Sequence, residues 1–250
     1  MGNTQSNELK DFLNQRIKHS LSKYNSHMKG NHLGKILEEN GEAVAEFVIP
    51  NSAKKYFKSS SYDIIQDLIC KNKITIVELW NFSKSVSNTM RPRAGHTFTF
   101  WVANILNEIF QEDQMDIFAI TRGSIISSLK KRLVLIDNNE TFDLKPDIDI
   151  VVYNKKSENI LAIISCKTTL AERVIQTIRW REYVHLLPSD LRKISIFLVT
   201  AWETFSRQTE INRVNVLDGV YCCSEDIIER GKIKKFDKLA EDLKKLNHYI

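Results

Sequence analysis

The sequence predicts an α/β protein with a mixed central sheet flanked by helices, and three observations carry that expectation. Two apolar runs, at about Asp147–Tyr153 and Ile160–Lys167, flank a polar stretch, Asn154–Asn159, of hairpin length. A helix-like segment from Thr169 to Leu186 follows and is stopped by Pro188. Ile194–Thr200 is then apolar but for Ser195 and the terminal Thr200, the pattern of a strand buried on both faces. Strand, helix and buried strand imply a right-handed crossover and a parallel pair, whereas the hairpin implies an antiparallel one. A sheet containing both is mixed.

Taken in order, the first 88 residues read as a helical region. Leu9, Phe12, Leu13, Ile17 and Leu21 share one helical stripe, and Tyr62, Ile65, Leu68 and Ile69 begin another. Turn-rich breaks are expected at Gly30-Asn31, Pro50-Asn51-Ser52 and Ser59-Ser60-Ser61. Lysines are spread across this region without a constellation of reactive side chains, so its expected role is a helical layer packed on the core or on a second subunit. The character changes at Thr89, which divides the chain into residues 1–88 and 89–250. Ala94–Glu112 is expected as a helix with Phe98, Val102, Ile105 and Ile109 inward, and Asp116–Ile120 and Leu133–Ile136 as short strands. Beyond the parallel pair, Gly219–Cys222 adds a strand, Ser224 caps a short helix to Arg230, and Lys235–Tyr249 forms a charged amphipathic helix.

Composition bounds the function. A length of 250 residues, 42% hydrophobic and 27% charged, suits one large globular domain or two small ones. A net charge of +5 matches a polyanionic partner in sign. With no long apolar run and no secretory segment, the expectation is a cytoplasmic protein without a membrane partner. Cys70, Cys166, Cys222 and Cys223 lack paired metal-ligand spacing, and a vicinal pair suits no disulfide, which fits a reducing compartment. The opening Met1-Gly2-Asn3-Thr4-Gln5-Ser6 fits a myristoylation pattern, but so short a pattern arises often by chance. A Gly-rich phosphate loop, paired HNH-type histidines and a Ser-His-acid arrangement are all absent from the sequence.

The chemistry concentrates in the hairpin. Asp147 and Asp149 alternate with Ile148, Ile150 and Val152, so both carboxylates lie on one face. Ser165 and Lys167 share a face of the second strand, after the apolar run Ile160–Ile164. The hairpin carries Asp147 towards the level of Lys167 and sets a carboxylate and an ammonium at one end of the sheet. Such a pair can hold a divalent metal on a phosphate and activate a water beside it. The plainer alternatives are an aspartate capping the turn after Pro146 and a lysine snorkelling off the sheet end. Asp149 is the second candidate ligand after Asp147.

These residues resemble the PD-(D/E)XK nuclease superfamily: Pro146-Asp147, then Ser165-Cys166-Lys167, with Lys167 twenty residues after Asp147. A serine in place of the second acid resembles the CCGG and EcoRII-like branch of type II restriction endonucleases. That branch carries an acid and an arginine five and six places after the lysine, here Glu172 and Arg173. Arg91-Pro92-Arg93-Ala94-Gly95, leading into the helix, is similar to the branch's upstream Arg-Ala-Gly segment. The likeness covers roughly residues 89 to 200.

The resemblance implies Mg2+-dependent hydrolysis of both strands of duplex DNA at a short palindrome, one containing CCGG, by a homodimer of this chain. It makes residues 89–250 the catalytic domain and Asp147, Ser165 and Lys167 catalytic residues, with the Cys166 backbone carbonyl as a further metal ligand. The sequence departs from the branch where its compensating acid, thirteen places past the lysine, is replaced by Trp180. Glu182 follows two residues later, turned by about 200° at roughly 100° per residue. Upstream, Thr99 stands nearest to the expected glutamate, with Glu108 farther along. Glu182 is preferred to Glu108 as the second catalytic and metal-binding acid. Glu172 and Arg173 are the expected base readers, glutamate on cytosine N4 and arginine on guanine O6 and N7. Arg91, Arg93 and Gln176 are further DNA-contact candidates, with Arg179 on the same stripe as Glu172. Two alternatives stay open: a structure-directed or repair nuclease of the superfamily, and a non-cleaving DNA-binding relative.

Overall fold

The computed structural model describes residues 2–41, 76–125, 129, 134–137, 140–143, 148–168, 174–185, 193–202, 205 and 207–248. The chain forms two compact units, residues 1–23 with 36–97, and residues 24–35 with 98–250. In the first unit, helix α1 (Gly2–Leu21) buries Leu13, Ile17 and Leu21, an i, i+4, i+8 row. Phe12 flanks that row and is 38% exposed, with the Arg16 guanidinium 5.6 Å over its ring. Arg16 Nε also donates to Asn40 Oδ1, at the end of helix α2 (Ser26–Glu39). The Tyr62–Ile69 stripe, the breaks at residues 50–52 and 59–61, and Cys70 lie outside the described residues.

The second unit is built on a six-stranded sheet in the order β1-β4-β5-β6-β7-β8. Its strands are β1 (Ile117–Thr121), β4 (Ile150–Asn154), β5 (Ile160–Lys167), β6 (Ser195–Thr200), β7 (Gly219–Cys222) and β8 (Ile233–Lys235). The pairs β1·β4 and β4·β5 are antiparallel, while β5·β6, β6·β7 and β7·β8 are parallel. The mixed sheet expected from the sequence is therefore present, hairpin and crossover included. Strands β2 (Val134–Asp137) and β3 (Glu140–Asp143) form a separate antiparallel pair, of which only the first was expected.

The hairpin turn has a local cause. Asn154 Oδ1 accepts from the backbone N–H groups of Lys156 and Ser157, each at 2.9 Å, an Asx-type turn that reverses the chain. The alternation of the strands then sorts the two faces. One face carries Val151, Ile163, Ile196, Leu198, Val220 and Ile233, in one apolar cluster with Val184 of helix α4 (Val174–His185) and with Ile211 and Val214 of helix α5 (Gln208–Val214). Helix α6 (Asp237–His248) lies against the other face, where Asp242 accepts from the Tyr221 hydroxyl at 2.8 Å. Helix α3 (Ile76–Glu112) buries Phe98, Val102, Ile105 and Ile109 as expected, and Asn107 exchanges two 2.8 Å hydrogen bonds with the backbone of Ala119 in β1.

Three local expectations are corrected. Gly30-Asn31 is no break, because α2 runs through it. A Cβ on Gly30 would lie 1.7 Å from the Phe236 ring, and Asn31 Oδ1 accepts the Asp237 N–H that opens α6. Both residues serve docking, not turning. Helix α3 begins at Ile76, well before Ala94, and continues through Pro92 and Gly95. Pro92 removes one hydrogen bond to the Asn88 carbonyl, and tertiary burial along the helix outweighs that local penalty. Ser224–Arg230 forms no helix: β7 and β8 are parallel, and turns at 225–226 and 231–232 return the chain to the start of the next strand. Helix α5 was not anticipated.

Gly34 brings α2 against the ends of β6 and β7. Its N–H donates to the Cys223 carbonyl at 3.1 Å and its carbonyl accepts from Trp202 Nε1 at 2.9 Å. An added Cβ would lie 2.2 Å from the Ala201 carbonyl oxygen and 2.5 Å from that of Cys223, both backbone atoms unable to swing aside. Gly34→Ala is expected to lower unfolding stability by about 1–3 kcal/mol, measured by urea denaturation; an unchanged midpoint would show that α2 docks elsewhere.

The first turns of α2 are also tied to the end of α3: the Ser26 hydroxyl donates to Glu112, and the Lys29 ammonium pairs with Glu108. Cys166, Cys222 and Cys223 are buried, and burial pushes the Cys223 thiol well above the usual range. Among the described residues, no helix is long and apolar enough to cross a membrane.

Candidate active site

At the end of the hairpin, on the face covered by α4, three of the expected residues meet. Asp149 precedes β4, and its N–H donates to the Ile164 carbonyl at 3.2 Å, which holds it beside β5. Asp149 Oδ2 accepts from the Cys166 N–H at 2.7 Å and from Lys167 Nζ at 3.0 Å, and the Ser165 hydroxyl stands 3.5 Å away. Lys167 is 5% exposed and Asp149 24%. An ammonium so buried is costly unless paired, and Asp149 supplies the counter-charge.

The two oxygens of Asp149 differ in their duties. Oδ2 carries the hydrogen bonds, whereas Oδ1 makes none among the described residues, and the side chain keeps partial access to solvent. In a strand, the N–H and C=O of one residue point to the same side. The Cys166 carbonyl therefore faces the β4 side of its strand, as its N–H does. A carboxylate oxygen and a backbone carbonyl are hard donors of the kind Mg2+ takes, with waters completing the shell. Among the described residues there is no cluster of three or more His, Cys, Asp or Glu able to hold a metal by side chains alone.

Asp147, Glu172 and Arg173 lie outside the described residues. Arg91 and Arg93 belong to α3, and Gln176 and Glu182 to α4, but their side chains are outside the described set. Glu108 is half-exposed and committed to Lys29. Helix α4 is anchored beside Glu182 by Arg181, whose guanidinium meets Asp218 at 2.8 Å, while Asp218 Oδ2 accepts the Ile196 N–H.

Two neighbours were not singled out from the sequence. The Arg122 N–H, at the turn after β1, donates to the Asp149 carbonyl at 3.0 Å, so an exposed arginine borders the site. Thr200 ends β6 in register with Lys167 and is fully buried. A signal for the second was present: two apolar strands in succession each end in a polar residue.

Comparison with known proteins finds likeness over the part of the chain that carries these residues. Residues 125–247 match the family model described as BsaWI restriction endonuclease type 2, which spans the hairpin, the parallel strands and α6. The protein designated type II restriction enzyme MjaVIP, from Methanocaldococcus jannaschii, is 27% identical over 235 residues, covering 86% of this chain and 93% of that one. Among solved structures, restriction endonuclease PspGI in complex with substrate DNA has a similar fold, with a TM-score of 0.55 and 13% identity. That alignment covers 95% of this chain and 93% of the other, and the likeness is one of fold.

Proposed function

We propose that this chain, a site-specific DNA nuclease of the type II restriction endonuclease kind by its family match and its curated relative, hydrolyses both strands of duplex DNA at a short palindrome containing CCGG. The observation that carries the reading is the buried Lys167 ammonium held 3.0 Å from Asp149 at the end of two paired strands. Asp149 and the Cys166 carbonyl would hold Mg2+, with Asp147 as the further ligand expected from the sequence. The cation, when bound, supplies Lewis acidity and lowers the pKa of its water. Lys167 orients the attacking water and offsets the charge that builds on the phosphate. Ser165 is too weak a donor to replace a carboxylate, so Glu182 on α4 is taken as the second acid, Glu108 being engaged by Lys29. The products carry a 5′-phosphate and a 3′-hydroxyl.

Reading a palindrome calls for two-fold symmetry, so the acting species is a homodimer. Arg91 and Arg93 contact phosphates or a base, and Gln176 is a further DNA contact. The net charge of +5 favours approach to the duplex.

Incubation with unmethylated genomic DNA in Mg2+, followed by sequencing of the ends, tests this directly. Ends flanking CCGG are expected. Ends without a shared sequence would make the protein a structure-directed nuclease, and binding without cutting a non-cleaving relative. Short duplexes with and without CCGG test specificity. In Ca2+, Arg173→Ala is expected to lose about 1–3 kcal/mol of specific binding per bidentate contact, twice over in a symmetric dimer. Non-specific binding weakens less, because it rests on many phosphate contacts. Glu172→Ala should blunt discrimination at the cytosine of the same pair. Equal losses on duplexes with and without CCGG would reduce Arg173 to a phosphate contact.

A further inference from the structure

Thr200 closes β6 as Lys167 closes β5, and the two are register partners in a parallel pair. Their side chains therefore leave the sheet on the same face, from backbones about 4.8 Å apart. Thr200 is 0% exposed, and its hydroxyl makes no hydrogen bond among the described residues. Burying an unpartnered hydroxyl is unfavourable, and valine would fill the same volume without that penalty. Packing alone does not account for the hydroxyl. Its neighbours do: Lys167 stands between Asp149 on one side and Thr200 on the other.

We propose that Thr200 is a positioning residue for Lys167, its Oγ1 accepting a hydrogen bond from the ammonium when Asp149 turns its carboxylate to a divalent cation. In the arrangement described above, Asp149 Oδ2 holds the ammonium at 3.0 Å. A carboxylate shared with a cation and a DNA phosphate holds lysine less strongly. A neutral acceptor on the opposite strand then keeps the ammonium at the level of the phosphate. A second carboxylate there would bind lysine too tightly to let it face the substrate, whereas a hydroxyl orients without trapping it. This inference rests on the nuclease reading.

The test compares the full-length wild type with Thr200→Val and Thr200→Ser, with Lys167→Ala as the inactive control. Cleavage of unmethylated genomic DNA in Mg2+ is followed alongside thermal unfolding without metal. Thr200→Val is expected to melt about 2–4 °C higher, because an unsatisfied group is gone. It should nonetheless cut about tenfold slower at saturating DNA, with KM unchanged. Thr200→Ser should cut within about threefold of wild type, since the acceptor is kept. A valine variant that cuts at the wild-type rate overturns the inference and leaves the nuclease reading standing. So does a serine variant as slow as valine, which would assign the effect to the lost methyl group, or a valine variant that melts well below wild type. A wild type that binds DNA and never cuts it removes the nuclease reading, and this inference with it.

Discussion

Lys167→Met is expected to slow phosphodiester cleavage by about 10²–10⁴-fold while leaving duplex binding in Ca2+ nearly unchanged. Methionine keeps the length and apolar stem of the side chain and removes only the ammonium. That ammonium is 5% exposed and lies 3.0 Å from Asp149, where no purely solvated lysine would sit. Stability should change little, because Asp149 retains the Cys166 N–H and 24% exposure to water. Single-turnover cleavage and a binding titration separate the two effects. A rate within tenfold of wild type, a loss under about 1.4 kcal/mol of barrier, would take Lys167 out of the machinery.

Asp149→Asn should abolish cleavage and also destabilise the fold. The reason is the asymmetry of the pair: the acid is partly wet, whereas the lysine is buried. Breaking a buried pair by removing one partner costs about 3–5 kcal/mol, and here the stranded charge is the ammonium. The double variant Asp149→Asn with Lys167→Met should recover most of that stability and none of the activity, a combination read by denaturant midpoint and cleavage assay together. Asp147→Asn discriminates between the two acids. Loss of cutting with Asp147→Asn and retention with Asp149→Asn would assign the metal to Asp147 and leave Asp149 as the counter-ion of Lys167.

Much of the core was legible because its signals are local. The apolar runs, the polar turn from Asn154 and the mostly apolar Ile194–Thr200 report pairing and burial within a few residues. The errors arise where a residue answers to something distant. Gly30-Asn31 carries the composition of a turn, yet the Phe236 ring and the Asp237 N–H dictate both residues from the far end of the chain. Pro92 looks like a helix boundary and is overridden by packing farther along α3. Ser224 has the chemistry of a helix cap, but the parallel pairing of β7 and β8 needs that segment for the return path. At the site, the shared face of Ser165 and Lys167 followed from alternation. That Asp149 meets the ammonium depends on the strand register, which Ile150↔Ile164 fixes and composition does not. Thr200 escaped notice because its partner strand is reached only through the crossover.

The way the strands join has a consequence for the order of assembly. Asp149 and Lys167 are eighteen residues apart and meet across a tight turn, a closure of small entropic penalty, and hairpins of this kind form in about 1–10 μs. Strand β6 and helix α4 must be brought in by a longer excursion, a slower step. The two charges therefore find each other while still hydrated, and desolvation follows only when the crossover docks. A chain halted between those steps would already hold its acid and its lysine side by side. It would lack the dry wall, the neighbouring strand and the helix that turn such a pair towards a phosphate, and would be inert towards DNA until folding is complete.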